Sequence, residues 1–138
     1  MEQQPLVEFE LTVEFRARFQ EALDERDVVF IQTILQNVKP ADITTLLYEF
    51  TSEESKYVMD LLDIETQAEI ISDLDRDTRK RFLKVYPPSE IVNFLNQLAS
   101  DDTADILNEL PIKEREQVLS GLEPELKIQV TEDRKSVV

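Results

Sequence analysis

The sequence predicts an all-α fold in which short helices stack into a compact superhelix. Three observations lead to this prediction. Apolar residues at positions i, i+1 and i+4 recur every 12 residues, eight times in succession, starting at Ile34; this spacing marks one face of a helix. Residues that stop or start helices lie between the repeats. Each repeat leaves only about eight helical residues, too few for a stable lone helix, so neighbouring helices must pack against one another.

The segment ahead of the repeats is predicted to form one longer helix, residues 6–26. Between residues 7 and 15, apolar residues also alternate with polar ones, which would suit a strand. A lone strand has no partner in an all-helical chain, so the helix is favoured. The apolar residues that recur at every fourth position are Leu11, Phe15, Phe19 and Leu23.

The repeats themselves are predicted to form the superhelix over residues 27–131. Residues 132–138 carry no pattern and are expected to be a tail. A length of 138 residues fits a single domain that comprises the whole chain, 1–138. The eight apolar triplets are Ile34-Leu35-Val38, Leu46-Leu47-Phe50, Val58-Met59-Leu62, Ile70-Ile71-Leu74, Phe82-Leu83-Tyr86, Phe94-Leu95-Leu98, Ile106-Leu107-Leu110 and Val118-Leu119-Leu122.

Composition excludes several classes of function. The net charge of −15 repels nucleic acid and favours cationic partners. Cysteine and histidine are absent, so a metal would need oxygen ligands, which suit magnesium, calcium or manganese.

No nucleophile stands beside a base, and the single glycine cannot build a phosphate-binding loop, so we expect no enzyme. Without a membrane-spanning run or a signal peptide, the chain by itself is expected to be soluble.

One acidic cluster, in the stretch ASDDTADIL, is a candidate binding site. Ser100 is predicted to cap a helix whose first turn holds Asp101 and Asp102, where the helix dipole favours negative charge. Asp105 lies one turn beyond Asp101 on the same side, which costs a few tenths of a kcal/mol unless a cation intervenes. Glu69 holds the same repeat position as Asp105, and these two are its only acidic occupants. Spacing alone still leaves a solvated acidic surface as the simpler interpretation.

Three stretches carry a resemblance to a known family. They are VKPADITTLL at 38–47, TQAEIISDL at 66–74 and YPPSEIVNFLNQLASDDTADILNELP at 86–111. With them the chain, roughly from 19 to 130, resembles the cytoplasmic N-terminal domain of MgtE magnesium transporters and channels. The third stretch is the most specific, because it reproduces the family's Leu-x-x-Asp-Asp-x-Ala-Asp-x-Leu run. Lys39 departs from the family, which often has histidine there.

The resemblance implies a right-handed superhelix and a role in magnesium sensing. In the family, Mg²⁺ binds between this domain and a following pair of CBS domains, and a transmembrane pore comes after them. Matched by motif, Glu69, Asp101 and Asp105 correspond to carboxylates at those sites, with Asp102 a weaker candidate. High Mg²⁺ would dock the domains and close the pore. The domain would then work at the cytoplasmic face of the cell membrane, in full-length proteins that are homodimers.

Two further expectations concern the CBS domains and the membrane helices that the family has beside this domain. The sequence has neither CBS domains nor membrane helices, so we expect an excised domain or a free-standing relative. An isolated chain should bind Mg²⁺ only weakly, because half of every site would be absent.

An alternative is a metal-independent scaffold for protein contacts, like the middle domain of the flagellar motor protein FliG. That domain has a related helical architecture. Its Glu-His-Pro-Gln start is replaced here by Val38-Lys39-Pro40-Ala41, and the Asp-Asp-x-Ala-Asp run is not expected of it. The resemblance to MgtE is therefore favoured over the scaffold.

Overall fold

A computed structural model of the chain describes the backbone of residues 12–136 and the side chains of residues 12–132. This described part is all-α, without a strand, as predicted. The predicted N-terminal helix, residues 6–26, is present as α1, but it is shorter than predicted: it begins at Val13, behind the extended N-cap Thr12, and ends at Glu25, before the C-cap Arg26. Residues 6–11 of that prediction lie outside the described residues. The helices are α1 Val13–Glu25, α2 Val28–Leu35, α3 Pro40–Leu47, α4 Ser52–Asp60, α5 Ile64–Asp73, α6 Arg76–Leu83, α7 Pro88–Leu95, α8 Ser100–Glu109, α9 Ile112–Gly121 and α10 Pro124–Ser136.

The repeat period sets where the helices begin. From α2 to α10, each helix starts 12 residues after the previous one. The chemistry of the starts matches the signals in the sequence. Pro40 and Pro88 stand at the first helical position of α3 and α7. The side chains of Thr51, Asp63 and Asp75 cap α4, α5 and α6 by accepting a hydrogen bond from a first-turn amide.

The C-terminal end differs from the predicted tail at 132–138. Helix α10 continues through Ser136. Glu132, Arg134 and Lys135 are good helix formers, and extending an existing helix adds one hydrogen bond for each residue fixed. The helix therefore continues past residue 131, although residues 132–136 contain no apolar side chain.

The chain divides between Leu62 and Asp63 into two compact units. In the first unit, the fully buried Phe19 of α1 lies between two half-buried rings: the Phe15 and Phe19 rings lie 5.8 Å apart, and those of Phe19 and Phe50 5.5 Å apart. Helix α1 ends because Arg26 takes a left-handed conformation, with φ 57° and ψ 43°. Its backbone N–H donates to α1 carbonyls, and its guanidinium lies 4.4 Å from the centre of the Tyr57 ring.

In the second unit, alternate helices pack side by side. Helix α7 packs against both α5 and α9, and α8 packs against α9 and α10. The rings of Phe82, Tyr86 and Phe94 meet edge to face, with centroids 5.1 and 5.0 Å apart. Gly121 allows α9 to approach α7 closely, since a Cβ there would lie 2.9 Å from Cγ2 of Val92.

The core contains one repeat position that the apolar triplets do not include. It lies three residues before each apolar doublet and is buried in both units. Its buried occupants are either isoleucines or polar residues. Each polar side chain donates a hydrogen bond to a backbone carbonyl at the end of an earlier helix. The buried occupants are the isoleucines Ile31, Ile43 and Ile91 and the polar residues Ser55, Arg79 and Thr103.

Candidate metal-binding surface

Helix α8 carries two of the three predicted ligands, Asp101 and Asp105. Ser100 does not cap this helix, so that prediction is wrong. Ala99 is the N-cap, with extended φ −65° and ψ 156°, and it makes no side-chain hydrogen bond. The helix begins one residue earlier than the serine suggested, because the 12-residue period places its first residue at Ser100. Asp101 and Asp102 therefore lie in a first turn that has no side-chain cap.

Three aspartates of α8 face outward. Asp101, Asp102 and Asp105 are exposed, whereas the intervening residues Thr103 and Ala104 are buried. The Asp101 Oδ1 accepts a hydrogen bond of 3.0 Å from the Asp102 amide, so this carboxylate partly replaces the missing cap. The same face thus offers two carboxylates one helical turn apart.

The third predicted ligand, Glu69, is on α5. It is exposed and stands between the buried residues Ala68 and Ile70. Helix α7 packs against α5 on one side and α9 on the other, whereas α8 packs against α9 and α10. Glu69 and Asp105 hold equivalent repeat positions on two different helices of the second unit.

The described residues do not form a complete metal shell. Among residues 12–132, no group of three or more aspartates or glutamates is close enough to hold one ion. The oxygens of Glu69 and Asp105 have no hydrogen bond or ion pair in that range and point to solvent, so both suit a hard cation. Magnesium keeps several waters and is commonly bound by one or two carboxylates. The donor set fits a cation that takes only part of its ligands from this chain.

A buried ion pair lies next to the acidic face. Arg79 of α6 donates from Nε and Nη2 to the two carboxylate oxygens of Glu109 on α8, at 2.8 and 2.7 Å. The Glu109 hydrogen bonds raise the pKa of Arg79 above its usual value, and the charges of Asp105 and Asp75 add to the effect. Arg79 is 9% exposed. Its guanidinium is committed to Glu109 and is not a counter-ion that closes on Asp105.

Arg79 also closes the C-terminal end of α5, a role that the apolar pattern gave no reason to expect. Its Nη1 donates to the carbonyls of Ile71, Ser72 and Leu74 at 3.2, 3.2 and 2.8 Å. These carbonyls are free because α5 ends abruptly at an extended C-cap, Leu74. Comparing residues 12 positions apart, as in the repeat, would have identified Arg79 as the charged occupant of a core position.

None of the helices in residues 12–136 has both the length and the apolar character that a bilayer crossing requires.

Comparisons with known proteins place the fold and the family. The family model described as the MgtE intracellular N domain matches residues 38–132. The crystal structure of the cytosolic domain of the Mg²⁺ channel MgtE in complex with ATP is 28% identical, with a TM-score of 0.73, and the match covers 84% of this chain and 48% of that chain. A comparison with curated protein sequences finds no match.

A second crystal structure, of the soluble part of a magnesium transporter, has the same TM-score of 0.73 at 18% identity. That match covers 86% of this chain and 47% of that chain. At this level of identity the likeness concerns the fold alone. This chain spans about half the length of the solved structures it matches.

Proposed function

The chain belongs to the MgtE intracellular N domain family, and from this premise we propose that it is a magnesium-sensing regulatory domain of a magnesium transporter or channel. Glu69, Asp101 and Asp105 would supply part of the ligands for Mg²⁺ ions shared with adjacent CBS domains. The observation that carries the proposal is the outward row of Asp101 and Asp105 on α8, two carboxylates at one-turn spacing without an ion pair among the described residues.

Electrostatics give the proposal its mechanism. The chain carries a net charge of −15, so a second acidic surface facing α8 would be repelled. Bound Mg²⁺ would supply the positive charge that offsets this repulsion. Since the ions bind the docked arrangement better than the separated one, the docked population grows with Mg²⁺ concentration by mass action. Docking at high Mg²⁺ would close the pore, and release at low Mg²⁺ would permit opening.

The incomplete shells support the sharing of sites. One or two carboxylates fill only part of an octahedral Mg²⁺ shell, so positions remain that ligands of a neighbour can complete. Here each of Glu69, Asp101 and Asp105 is exposed and available from outside. In titration calorimetry we expect weak Mg²⁺ binding by the isolated chain; tight, stoichiometric binding would contradict shared sites.

The decisive experiment is limited proteolysis of a protein in which CBS domains follow this chain, with and without Mg²⁺. We expect Mg²⁺ to protect the parent, and to protect the triple variant Glu69→Gln, Asp101→Asn, Asp105→Asn much less. The isosteric amides keep the shape of each side chain and remove its charge.

The matched control removes the same charge from exposed acids elsewhere in the second unit: Glu65→Gln, Glu116→Gln and Glu125→Gln. This variant should be protected like the parent. Equal protection of the parent and the ligand variant would defeat the site assignment. Domain docking that is independent of Mg²⁺ would favour the metal-independent scaffold instead.

A further inference from the structure

The positive charges of this acidic chain are concentrated on α6. Five of the 15 lysines and arginines lie within residues 76–84. Three of them, Arg76, Lys80 and Lys84, follow at intervals of four residues, and like charges at that spacing cost a helix a few tenths of a kcal/mol per pair. The helix dipole favours Lys80 and Lys84 near the C-terminal end, but it disfavours Arg76 at the first helical position. The dipole therefore does not account for the whole row.

Two of these lysines line an open groove between α6 and the connection from α8 to α9. The groove has a volume of about 630 Å³, within the range of roughly 300–1,000 Å³ typical of ligand sites. Lys80 and Lys84 lie along it, and its apolar lining consists of Leu83, Leu110 and Pro111. Leu83 and Leu110 are only 3% and 5% exposed and reach the groove by their edges, so Pro111 is the exposed part of the apolar lining beside the two ammonium groups.

The cations of the groove are not neutralised by its own acids. Glu109 also lines it, but this carboxylate is paired with Arg79 at 2.7 Å and lies 3.7 Å from Arg76. Glu114 contributes one further negative charge. Within residues 12–132, neither lysine of the groove has a hydrogen bond or an ion pair. Because charges beyond about 8–10 Å are screened at physiological salt, an approaching ligand feels these near charges more than the net charge of the chain.

We propose that this groove is a docking site for an acidic peptide segment of a partner protein, one that has apolar side chains next to its carboxylates. The carboxylates would pair with Lys80 and Lys84, and an apolar side chain would cover Pro111 and the accessible edges of Leu83 and Leu110. A flat anionic membrane does not reach the apolar surface of a concave groove. A long polyanion such as nucleic acid would meet the acidic remainder of the surface. The charge and the shape together favour a peptide.

The site is separate from the proposed magnesium ligands. None of Glu69, Asp101 and Asp105 lines the groove. Peptide binding is therefore expected to survive in the variant Glu69→Gln, Asp105→Asn. Loss of peptide binding in that variant would overturn the assignment to a separate site.

The test is fluorescence anisotropy of the whole chain with a labelled peptide in which glutamate and leucine alternate. We expect saturable binding that weakens with salt. Lys80→Glu with Lys84→Glu should lower the affinity at least about tenfold, and the milder pair Lys80→Gln with Lys84→Gln should lower it less. All four changes are at exposed positions, and circular dichroism checks that the fold is kept.

The matched control is Lys39→Glu with Lys56→Glu, which changes the net charge equally on α4 and at the start of α3. It should stay within about twofold of the parent. An equal loss in this control would show non-specific attraction and overturn the proposal.

Two altered peptides test the two halves of the recognition. Replacing the glutamates by glutamines, or the leucines by serines, should abolish binding. If the serine peptide binds as well as the parent peptide, the apolar half of the proposal is wrong. If the chain binds phosphatidylserine vesicles through the same lysines and ignores the peptide, the site is a lipid site and the proposal fails.

Discussion

Two connections of the second unit, α5 to α6 and α8 to α9, are built alike but are stabilised differently. Both follow a helix that ends at an extended C-cap, Leu74 or Leu110. Each connection is followed by an arginine, Arg79 or Arg115, and the two lie 36 positions apart in the sequence. Each arginine donates hydrogen bonds to the carbonyls eight, seven and five residues before it. Arg79 does so from Nη1 alone, at 2.8 to 3.2 Å. Arg115 uses Nε and Nη2, at 3.0 to 3.3 Å.

The two guanidinium groups differ in which nitrogen donors are left for a side-chain partner. Arg79 keeps Nε and Nη2 for the carboxylate of Glu109, whose side chain is only 5% exposed. Arg115 spends the corresponding nitrogens on carbonyls. The capping of an abrupt helix end thus occurs at both connections, whereas of these two arginines Arg79 alone forms a buried ion pair. Substituting Arg115 tests the carbonyl cap alone, whereas substituting Arg79 tests the cap together with the ion pair.

The largest effect is expected for Arg79→Met. This change leaves three carbonyls uncapped and leaves the buried Glu109 carboxylate with only the exposed Arg76, at 3.7 Å, as a counter-charge. Removing one partner of a buried ion pair typically costs about 3–5 kcal/mol. Urea denaturation should show a free energy of unfolding lower by that amount, while Arg81→Met, at an exposed position on the same helix, should cost little. The double variant Arg79→Met, Glu109→Leu should recover part of the loss, because the stranded charge is gone. A double variant no better than Arg79→Met would show that the carbonyl cap, not the ion pair, dominates.

A smaller loss is expected for Arg115→Met. Only the hydrogen bonds to Leu107, Asn108 and Leu110 are removed, in a half-buried setting where water replaces them in part. A loss of roughly 1–2 kcal/mol in the free energy of unfolding is expected from urea denaturation. Lys113→Met on the same helix is the control and should be near neutral. If Arg115→Met costs as much as Arg79→Met, the difference between the two connections is not the ion pair.

The N-terminal ends of the same two helices offer a stabilising change. Asp63 caps α5 by accepting a 2.8 Å hydrogen bond from the Thr66 amide, whereas Ala99 leaves α8 without one. The two caps share an extended backbone, with ψ 161° and 156°. Ala99→Ser should therefore raise the free energy of unfolding by about 0.5–1 kcal/mol in thermal or urea denaturation. Ser100→Ala should be near neutral, and a larger loss there would indicate that Ser100 has a role at the helix start.

The smallest effect is a difference in acid sensitivity. The hydrogen bonds from Thr66 lower the pKa of Asp63 below its usual value. Because the pKa is depressed in the folded state, the stability it contributes is present at neutral pH and is lost as the pH falls below about 4 toward the folded value. Asp63→Asn keeps an effective cap but cannot titrate. In urea denaturation over a pH series, this variant should lose slightly less stability in acid than the parent; a steeper loss would contradict the capping interpretation.

Some of the fold could be predicted because it is encoded locally. The doublets recur every 12 residues, and all but the first and the last are buried at both positions, as in Leu46-Leu47 and Ile106-Leu107. Caps such as Asp63 and Asp75 belong to the same periodic signal. Arg79 and Glu109 could not be paired in this way, since they are 30 residues apart on different helices and each resembles the many exposed charges of the chain.

The candidate site likewise has features that are encoded locally and features that depend on helix packing. Placing Asp101 and Asp105 one turn apart needed only the helix period and the family's motif, and the expectation that they act as ligands with Glu69 stays a prediction. The position of Glu69 relative to α8 depends on how the helices stack. Equally, no local pattern distinguishes Lys80 and Lys84 from other surface lysines until α6 is packed beside Leu110 and Pro111 to make a groove.

The helix type, the 12-residue spacing of the helix starts and the apolar faces are encoded locally, because they depend on backbone preferences and on hydrophobic periodicity. The tertiary structure decided which charges are buried, which carbonyls need a cap and where cations line a groove. These properties arise from residues far apart in sequence. Their energies depend on desolvation and on distance, which exist only after the helices have packed.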